Sequence, residues 1–274
     1  MVRILTSASQ GEPLVPADDR GLAYGDGLFE TILVRDGCLH LLEDHCARLL
    51  QGASRLGIPL TRGELTQALD RAGELIDRSP APGHQVLKLV LTRGSGGRGY
   101  HPPEPAEPRL LVSLLPAPSQ PPEAGVDVAI SDVPLTVNPM LAGLKTLNRL
   151  EQVLASQTMP AACFESLMCG EQGDLREGTR TALMFRWQGQ WWTPPRDRVA
   201  VRSVMLGHVE RGLVARGTPL REDLLFPGQC GDPGFGGLIL LNSVIGAVPV
   251  RTLAGRQLPR PHQLATIISL AKTR

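Results

Sequence analysis

The segment Leu141-Ala142-Gly143-Leu144-Lys145-Thr146-Leu147-Asn148-Arg149-Leu150 decides how the rest of this 274-residue chain is interpreted. Its single lysine, Lys145, follows a glycine and is predicted to open a helix that runs to Ser156. A lysine joins a flexible stem to an ammonium group whose pKa falls readily on desolvation. The neutral amine can then form a Schiff base with an aldehyde. Most lysines are solvated surface charges, so the segment by itself leaves both interpretations open.

The composition is that of an ordinary globular protein. Hydrophobic residues make up 42% of the chain and charged residues 20%. The net charge of +1 gives no electrostatic reason to expect nucleic acid or an acidic membrane as a partner. No apolar run approaches the roughly 20 residues that cross a bilayer, and the N-terminal stretch lacks the apolar core of a secretory signal. We therefore expect a cytoplasmic location.

Metal and disulfide chemistry find no support in the sequence. The five cysteines are scattered and include no CxxC pair, and the six histidines show no ligand spacing. The sequence therefore predicts neither a metal site nor a disulfide framework.

Strand and helix patterns are mixed without strict alternation, which predicts a mixed α/β (α+β) fold in two domains. The best linker is the proline-rich stretch that begins at Pro116. We expect a small N-terminal α/β domain over residues 1–115, a linker over 116–123, and a larger C-terminal domain over 124–274.

Four segments of the first domain have clear local patterns. Helical apolar spacing predicts helices over Leu42–Leu56 and Thr61–Ile76. A strand is predicted over Gln85–Thr92. The segment Ala17–Gly27 is so rich in glycine and aspartate that we expect a loop in which the backbone approaches another group closely.

A glycine pattern, G-x-G-x-x-G at residues 94–99, follows the predicted strand and matches the dinucleotide fingerprint. That fingerprint requires a helix N-terminus directly afterwards. Residues 100–105 contain three prolines and cannot open such a helix, which argues against nicotinamide binding. Arg93 and Arg98 border this loop, and arginine suits the binding of carboxylates.

Three segments then resemble one family, in the right order along nearly the whole chain. They are Tyr24–Thr31 (Y-G-D-G-x-F-x-T), Arg93–Tyr100, and residues 138–154. They are similar to the class IV (fold type IV) pyridoxal-phosphate aminotransferase family, and in particular to its aminodeoxychorismate lyase branch. The resemblance implies a D-amino-acid-aminotransferase-like fold of two domains with pyridoxal 5'-phosphate between them. It also implies a homodimer.

The same resemblance implies roles for individual residues around the cofactor. Lys145 matches the lysine that forms the Schiff base, and Glu177 matches the glutamate that bonds the pyridine nitrogen. A carboxylate there keeps the ring protonated, so that the ring acts as an electron sink. The positions matched to phosphate contacts are Arg48, Val204, Met205 and Ser243.

On the substrate side, Thr31 matches a threonine implicated in the lyases. The residues expected to contact substrate are Tyr24, Arg93, Arg98 and Tyr100. Of the two arginines, Arg98 is the better candidate for holding a carboxylate, and Arg93 is expected to support the loop.

The chain departs from the family pattern at two places. Ala182-Leu183-Met184 stands where Asn-Leu-Phe is usual, and Leu206 stands where an arginine is frequent. The first change removes an amide near the cofactor face, and the second removes a surface or cleft charge. Neither change touches Lys145 or Glu177, so the expected cofactor is unaffected.

The implied reaction converts 4-amino-4-deoxychorismate to 4-aminobenzoate and pyruvate, a step of folate synthesis. Two alternatives stay open. One is a class IV aminotransferase acting on branched-chain or D-amino acids, against which Tyr100 and the glycine loop argue. The other is a cofactor-free binding protein, against which the retention of Lys145, Glu177 and Arg48 argues.

Overall fold

A computed structural model describes residues 3–6, 15–79 and 83–272. Contacts between Cα atoms divide these residues into two compact units. The first unit holds the described residues up to Pro118 together with Leu144–Asn148, and the second holds Ser119–Gly143 and the described residues from Arg149 onward. Both units mix strands and helices, which confirms the predicted mixed α/β fold class. The predicted bounds of the domains and the linker stay a prediction.

The first unit contains one sheet and three helices within its described part. The strands are β1 (Arg3–Thr6), β2 (Gly27–Arg35), β3 (Cys38–Leu39), β4 (Gln85–Thr92) and β5 (Arg109–Pro116). The helices are α1 (Arg20–Tyr24), α2 (Leu42–Leu56) and α3 (Arg62–Asp77). The strand order is β1-β5-β4-β2-β3, and all neighbours are antiparallel except β1 and β5.

Helix α2 occupies the bounds that its apolar spacing predicts, and Gly57 ends it in the left-handed conformation at φ 63°. The helix packs closely on β2 through Gly52. A methyl group at this glycine would lie 2.8 Å from the Leu28 side chain. Helix α3 begins with a capping box in which Thr61 and Glu64 each bond the other's backbone N–H.

The prediction of a loop over Ala17–Gly27 is wrong in part, because α1 lies inside it. The Asp19 side chain accepts a hydrogen bond from the Gly21 backbone N–H, and Gly25 ends the helix at φ 66°. An aspartate cap and a terminating glycine therefore delimit one short helix.

The second unit contains a larger sheet and three further helices within its described part. The strands are β6 (Val126–Ile130), β7 (Glu165–Cys169), β8 (Leu175–Gly178), β9 (Ala182–Trp187), β10 (Gln190–Thr193), β11 (Arg221–Glu222), β12 (Phe235–Asn242), β13 (Gly246–Leu253) and β14 (Arg256–Gln257). The helices are α4 (Leu150–Gln157), α5 (Val204–Val214) and α6 (Leu264–Lys272), with a 3-10 turn at Pro227–Gly231.

Six of these strands close on themselves. Pairing runs β9-β12-β13-β6-β7-β8, and β8 pairs back to β9 through Glu177 opposite Ala182. Buried apolar side chains from this sheet form one core cluster, which includes Leu167, Leu183 and Leu238. The ring of strands therefore has its seam at Glu177, a predicted site residue.

No helix within the described ranges is both long and apolar enough to cross a membrane.

Candidate active site

Lys145 does not open a helix, and that prediction is wrong. The Lys145 carbonyl accepts from the Phe29 N–H at 2.9 Å, and the Leu147 N–H donates to the Gly27 carbonyl at 3.1 Å. These bonds attach the segment Leu144–Asn148 to β2 in extended form, so helix α4 starts only at Leu150. Pairing with a strand distant in sequence has overridden the local helical pattern.

The Lys145 side chain lies over an aromatic ring. Its ammonium nitrogen is 4.3 Å from the centre of the Phe29 ring, a distance typical of a cation–π contact. Thr31 lies two residues further along β2, so its side chain shares a face of the strand with Phe29.

A charged cluster lies nearby in the same unit, and the sequence analysis missed most of it. The Glu30 carboxylate accepts from Arg48 Nε at 2.7 Å and from Arg48 Nη2 at 2.5 Å. It also lies 2.7 Å from His45 Nδ1. Glu30 and His45 are almost fully buried, at 1% and 0% exposure, and Arg48 is 12% exposed. Arg48 is therefore a fixed, paired arginine rather than a solvated one.

Burial and charge oppose each other at Glu30. Burial would raise the pKa of its carboxyl, but the charge and hydrogen bonds of Arg48 and the contact with His45 outweigh it and lower the pKa to about 2. At His45, burial lowers the pKa, Glu30 opposes this, and the positive charges of Arg48 and Lys145 lower it further. The cluster therefore pairs an ionised Glu30 with a neutral His45 at pH 7. His45 Nε2 is buried and has no hydrogen-bond partner among the described residues.

We call residues 94–101 the glycine loop, and Arg93 anchors its start. Arg93 is 9% exposed and donates to both oxygens of Asp26, at 2.7 and 3.0 Å. It also donates to the carbonyls of Leu56 and Gly57 at the end of α2. The side chain of Arg98, by contrast, is exposed, and within the described part of the chain no side-chain hydrogen bond or ion pair involves it.

A second buried arginine, Arg20, holds the middle of the glycine loop. Its guanidinium donates to the Tyr100 carbonyl at 2.8 Å and to three further carbonyls, those of Gly96, Gly99 and His101. Its Nε donates to Asp26 at 2.9 Å. Burial raises the pKa of Asp26, but Arg93 and Arg20 outweigh it, and the pKa is lowered. Asp26 is thus shared between both arginines.

Tyr24 and Tyr100 meet edge to face, with ring centres 5.4 Å apart. Tyr24 is 46% exposed and Tyr100 is 86% exposed. The guanidinium carbon of Arg20 is 5.0 Å from the Tyr24 ring. Arg20 therefore links both predicted substrate-contacting tyrosines.

In the second unit, Glu177 is 5% exposed and accepts a hydrogen bond from the Val201 N–H at 3.2 Å. The turn after it is built around a second carboxylate, that of Glu165, which is fully buried. Glu165 accepts from both the backbone N–H and the hydroxyl of Thr179, from the Arg180 N–H, and from the Thr181 hydroxyl. A methyl group at Gly178 would lie 2.7 Å from this carboxyl group. Glu165 therefore fixes the turn that carries Glu177.

Glu177 lines a cavity of about 30 Å³ within this unit. The two departures from the family pattern, Ala182 and Leu206, line the same cavity. Leu206 is 8% exposed, so it lies inside the unit and not on its surface. Both departures shape the space beside Glu177.

Helix α5 presents backbone N–H groups that suit an anion. Its cap, Ser203, accepts from the Leu206 N–H at 3.2 Å, and the first turn contains no acidic side chain. Among the described residues, nothing accepts a hydrogen bond from the N–H groups of Val204 and Met205. Unpaired amides at a helix start favour a phosphate group. Ser243, the remaining predicted contact, is 9% exposed and lies between β12 and β13.

The structure thus places Lys145, Thr31 and Arg48 in the first unit, with Lys145 and Thr31 toward the Phe29 face of β2 and Arg48 bound to Glu30 on the other face. Signals for some of the missed residues exist in the sequence. Strand alternation places Glu30 on the same buried face as Leu28 and Ile32, and a carboxylate on such a face needs a cation. No local signal marks Arg20 or Glu165, because their partners lie far along the chain or in a turn.

Comparison with known proteins gives consistent matches. The family model described as amino-transferase class IV matches residues 27–253. Aminodeoxychorismate lyase from Vibrio harveyi is 29% identical over 246 residues, covering 86% of each chain. A putative branched-chain-amino-acid aminotransferase from Methanocaldococcus jannaschii is 32% identical, and the match covers 65% of this chain and 62% of that protein. The crystal structure of 4-amino-4-deoxychorismate lyase from Pseudomonas aeruginosa is 36% identical and superposes with a TM-score of 0.86, covering 94% of both chains.

Proposed function

Because the chain belongs to the amino-transferase class IV family, whose members use pyridoxal phosphate, we propose that it is an aminodeoxychorismate lyase. The reaction would convert 4-amino-4-deoxychorismate to 4-aminobenzoate and pyruvate. The observation that carries this proposal is the similarity to a lyase over 94% of both chains, at 36% identity. We also propose that the protein works as a homodimer, as the family resemblance implies, and that it is located in the cytoplasm.

The residues present suit the cofactor. Glu177 is a buried carboxylate of the kind that holds a protonated pyridine nitrogen. The unpaired amides of Val204 and Met205 suit a phosphate dianion, as does the guanidinium of Arg48. Arg48, Ser243 and these amides are the proposed phosphate contacts, and Lys145 is the proposed Schiff-base lysine. When bound, pyridoxal phosphate would supply an electron sink for the bonds next to the substrate nitrogen.

Two residues of the chain then act on the substrate: one removes a ring proton, and the other assists the release of the enolpyruvyl group. Lys145 Nζ takes the proton from the ring carbon that carries the nitrogen. The bond between the ring and the enolpyruvyl oxygen breaks, and the ring becomes aromatic. The released enolpyruvate takes up a proton to become pyruvate. The Thr31 side chain shares a face of β2 with Phe29, the ring that the Lys145 ammonium group contacts. We propose that its hydroxyl donates a hydrogen bond to the departing oxygen.

Substrate carboxylates need a cation that is not already engaged. The donors of Arg93 are directed to Asp26 and to two backbone carbonyls. Arg98 is exposed on the glycine loop. We therefore assign the carboxylate contact to Arg98 and a supporting role to Arg93, with Tyr24 and Tyr100 forming an aromatic wall.

A class IV aminotransferase acting on branched-chain or D-amino acids is the second candidate. The observation that favours it is the 32% identity to the putative branched-chain-amino-acid aminotransferase. Such an enzyme would transfer the amino group to a keto acid and would release no 4-aminobenzoate.

Two linked measurements test the proposal. Borohydride reduction of the purified enzyme with pyridoxal phosphate should attach the cofactor to Lys145, as read by peptide mass spectrometry. Incubation with 4-amino-4-deoxychorismate should yield pyruvate and 4-aminobenzoate in equal amounts. Label on Lys145 without pyruvate release, but with amino transfer from D-alanine or leucine, would favour the aminotransferase instead. Label on another lysine, or none, would reject both.

A further inference from the structure

Arg20 binds the glycine loop through the loop's backbone carbonyls. It also forms an ion pair with Asp26, outside the loop. Four carbonyl groups of the loop accept from its guanidinium, at distances of 2.8 to 3.4 Å. The side chain is 4% exposed. A buried guanidinium that donates to four carbonyls within residues 96–101 fixes the backbone of this loop independently of the loop's side chains.

We propose that Arg20 is a positioning residue for substrate recognition, which holds the glycine loop so that Arg98 and Tyr100 face the substrate in one fixed geometry. This inference rests on the proposed function and deepens it by naming what sets the geometry of the substrate contact. Arg20 itself would not touch the substrate.

The root of the loop is fixed by the same network. Asp26 Oδ2 accepts from both Arg20 and Arg93, at 2.9 and 2.7 Å. Arg93 in turn donates to Leu56 and Gly57, where α2 ends. The Arg20–Asp26–Arg93 triad therefore ties the loop to α2, the helix that also carries Arg48.

The glycines of the loop allow the backbone to pack closely against neighbouring groups, and they do not indicate a mobile loop. At Gly97, φ is +80° and a methyl group would lie 2.2 Å from the His101 carbonyl oxygen and 3.2 Å from Arg20 Nη1. At Gly94, a methyl group would lie 2.0 Å from the Glu107 carbonyl oxygen. The loop can pack against Arg20 only because these positions carry no side chain.

Position 20 needs an arginine because five acceptor groups, four loop carbonyls and the Asp26 carboxylate, surround one side chain. A guanidinium offers five donors in a fixed fork, whereas an ammonium offers three on a single atom. Arg20→Lys should keep the charge next to Asp26 but lose part of the carbonyl set. Arg20→Gln should lose both.

Limited trypsin digestion tests the holding role without reference to any activity. The bond after Arg98 lies between carbonyls that Arg20 binds, so the wild-type enzyme should be cut there slowly. Arg20→Gln should speed cleavage after Arg98 by about tenfold or more, the scale expected when a charged hydrogen bond is lost. The matched control is Thr61→Ala, which removes the cap of α3 in the same unit and leaves the loop contacts intact.

Steady-state kinetics with 4-amino-4-deoxychorismate tests the positioning role. Arg20→Gln should raise KM by about tenfold or more, with kcat and the affinity for pyridoxal phosphate within about threefold of wild type. Arg20→Lys should recover part of the loss. Gly97→Ala distorts the loop but keeps the Arg20 guanidinium in the chain, so it should raise KM in the same way. It serves as a second variant in case Arg20→Gln fails to fold.

The two proposals fail in different ways. If the wild-type enzyme releases no pyruvate, the proposed function is wrong, whatever the digestion shows. If pyruvate is released but Arg20→Gln leaves both KM and the cleavage rate after Arg98 unchanged, the inference about Arg20 is overturned. It is also overturned if Thr61→Ala changes KM and cleavage as much as Arg20→Gln does, because the effect would then be general loss of stability.

Discussion

Each unit buries one carboxyl group close to a predicted cofactor residue, Glu30 in the first and Glu165 in the second, and the two groups have different donors. In the first, Lys145 lies near a cluster of ionisable side chains in which Glu30 binds Arg48 and His45. In the second, the donors to the buried Glu165 are mostly neutral. Glu177 accepts from a backbone N–H, and the Glu165 carboxylate behind it accepts from hydroxyls and amides of one turn.

This difference separates two ways of satisfying the oxygens of a buried carboxyl group with hydrogen bonds. Glu30 is stabilised by the full charge of Arg48. Removing Glu30 would leave that charge buried without its carboxylate partner, which is costly. Glu165 is stabilised by dipoles fixed in a tight turn, with the Arg180 guanidinium 3.8 Å away and half exposed. The Glu30 cluster should therefore respond to changes of charge and pH, and the turn held by Glu165 to changes of hydrogen-bond geometry.

The largest expected effect is at Glu30. Glu30→Ala would leave the buried Arg48 and His45 without their common partner, and we expect the free energy of unfolding to fall by about 3–5 kcal/mol. Urea unfolding followed by circular dichroism measures this change. Glu43→Ala is the matched control, because Glu43 pairs with Arg62 at 3.2 Å where both side chains are well exposed, and it should cost less than about 1 kcal/mol. Equal losses in the two variants would show that the buried Glu30 cluster contributes no more stability than an exposed ion pair.

The next effect is on catalysis, at Glu177. Glu177→Gln should still bind pyridoxal phosphate, but an amide stabilises a protonated pyridine poorly. We expect turnover to fall by about 10- to 100-fold, equivalent to roughly 1.5–3 kcal/mol. Cofactor absorbance and the pyruvate assay measure the two properties separately. Turnover at the wild-type level in this variant would contradict the role assigned to Glu177.

Glu165→Gln tests the hydrogen bonds that the turn after Glu177 donates to Glu165. The amide keeps one acceptor oxygen but turns an NH₂ group toward donors, so we expect a loss of about 1–3 kcal/mol in unfolding free energy. Turnover should fall as well, because the displaced turn carries Glu177. The control is Glu171→Gln in the exposed turn between β7 and β8. If Glu165→Gln is as stable as this control, the hydrogen bonds of the turn contribute little.

The smallest expected effect is the pH dependence contributed by His45. Its pKa is lowered in the folded protein, so below about pH 6.5 the unfolded chain binds a proton that the folded chain does not. Stability from this group is present above pH 6.5 and is lost as pH falls toward the lowered pKa, by at most about 1.4 kcal/mol per pH unit. His45→Gln should flatten the fall in stability between pH 6.5 and 5, measured by urea unfolding at each pH. His84→Gln, at an exposed histidine, should leave the curve as it is in wild type. If His45→Gln loses unfolding free energy with falling pH as steeply as wild type, a group other than His45 causes the pH dependence.

Local sequence patterns predicted the elements that depend on local forces. The apolar spacing of α2 and the glycine after it gave the bounds that the structure has. The prediction failed at Lys145, because its backbone bonds to β2, more than a hundred residues earlier in the chain. Such pairing is invisible to a local pattern.

The sequence allowed some residues of the candidate site to be predicted, but not the residues that hold them in place. Similarity to a family supplied Lys145, Glu177 and Arg48, and their assigned roles stay predictions. The residues behind them were not predicted. Arg20 acts on carbonyls 76 to 81 positions away, and backbone carbonyls carry no mark in the sequence. Only Glu30, on the buried face of an alternating strand, could have been found from the sequence alone.

The return of Leu144–Asn148 to the first unit has a consequence for how such proteins can be recombined. A hybrid that joined the first half of one relative to the second half of another at the proline-rich stretch would carry Lys145 with the second parent. Its hydrogen-bonding partners, Gly27 and Phe29, would come from the first. Such a hybrid would therefore take Lys145 from one parent and the backbone groups that bind its segment from the other. A working hybrid would have to exchange residues 144–148 along with β2, so the functional boundaries of this chain do not coincide with any single crossover point.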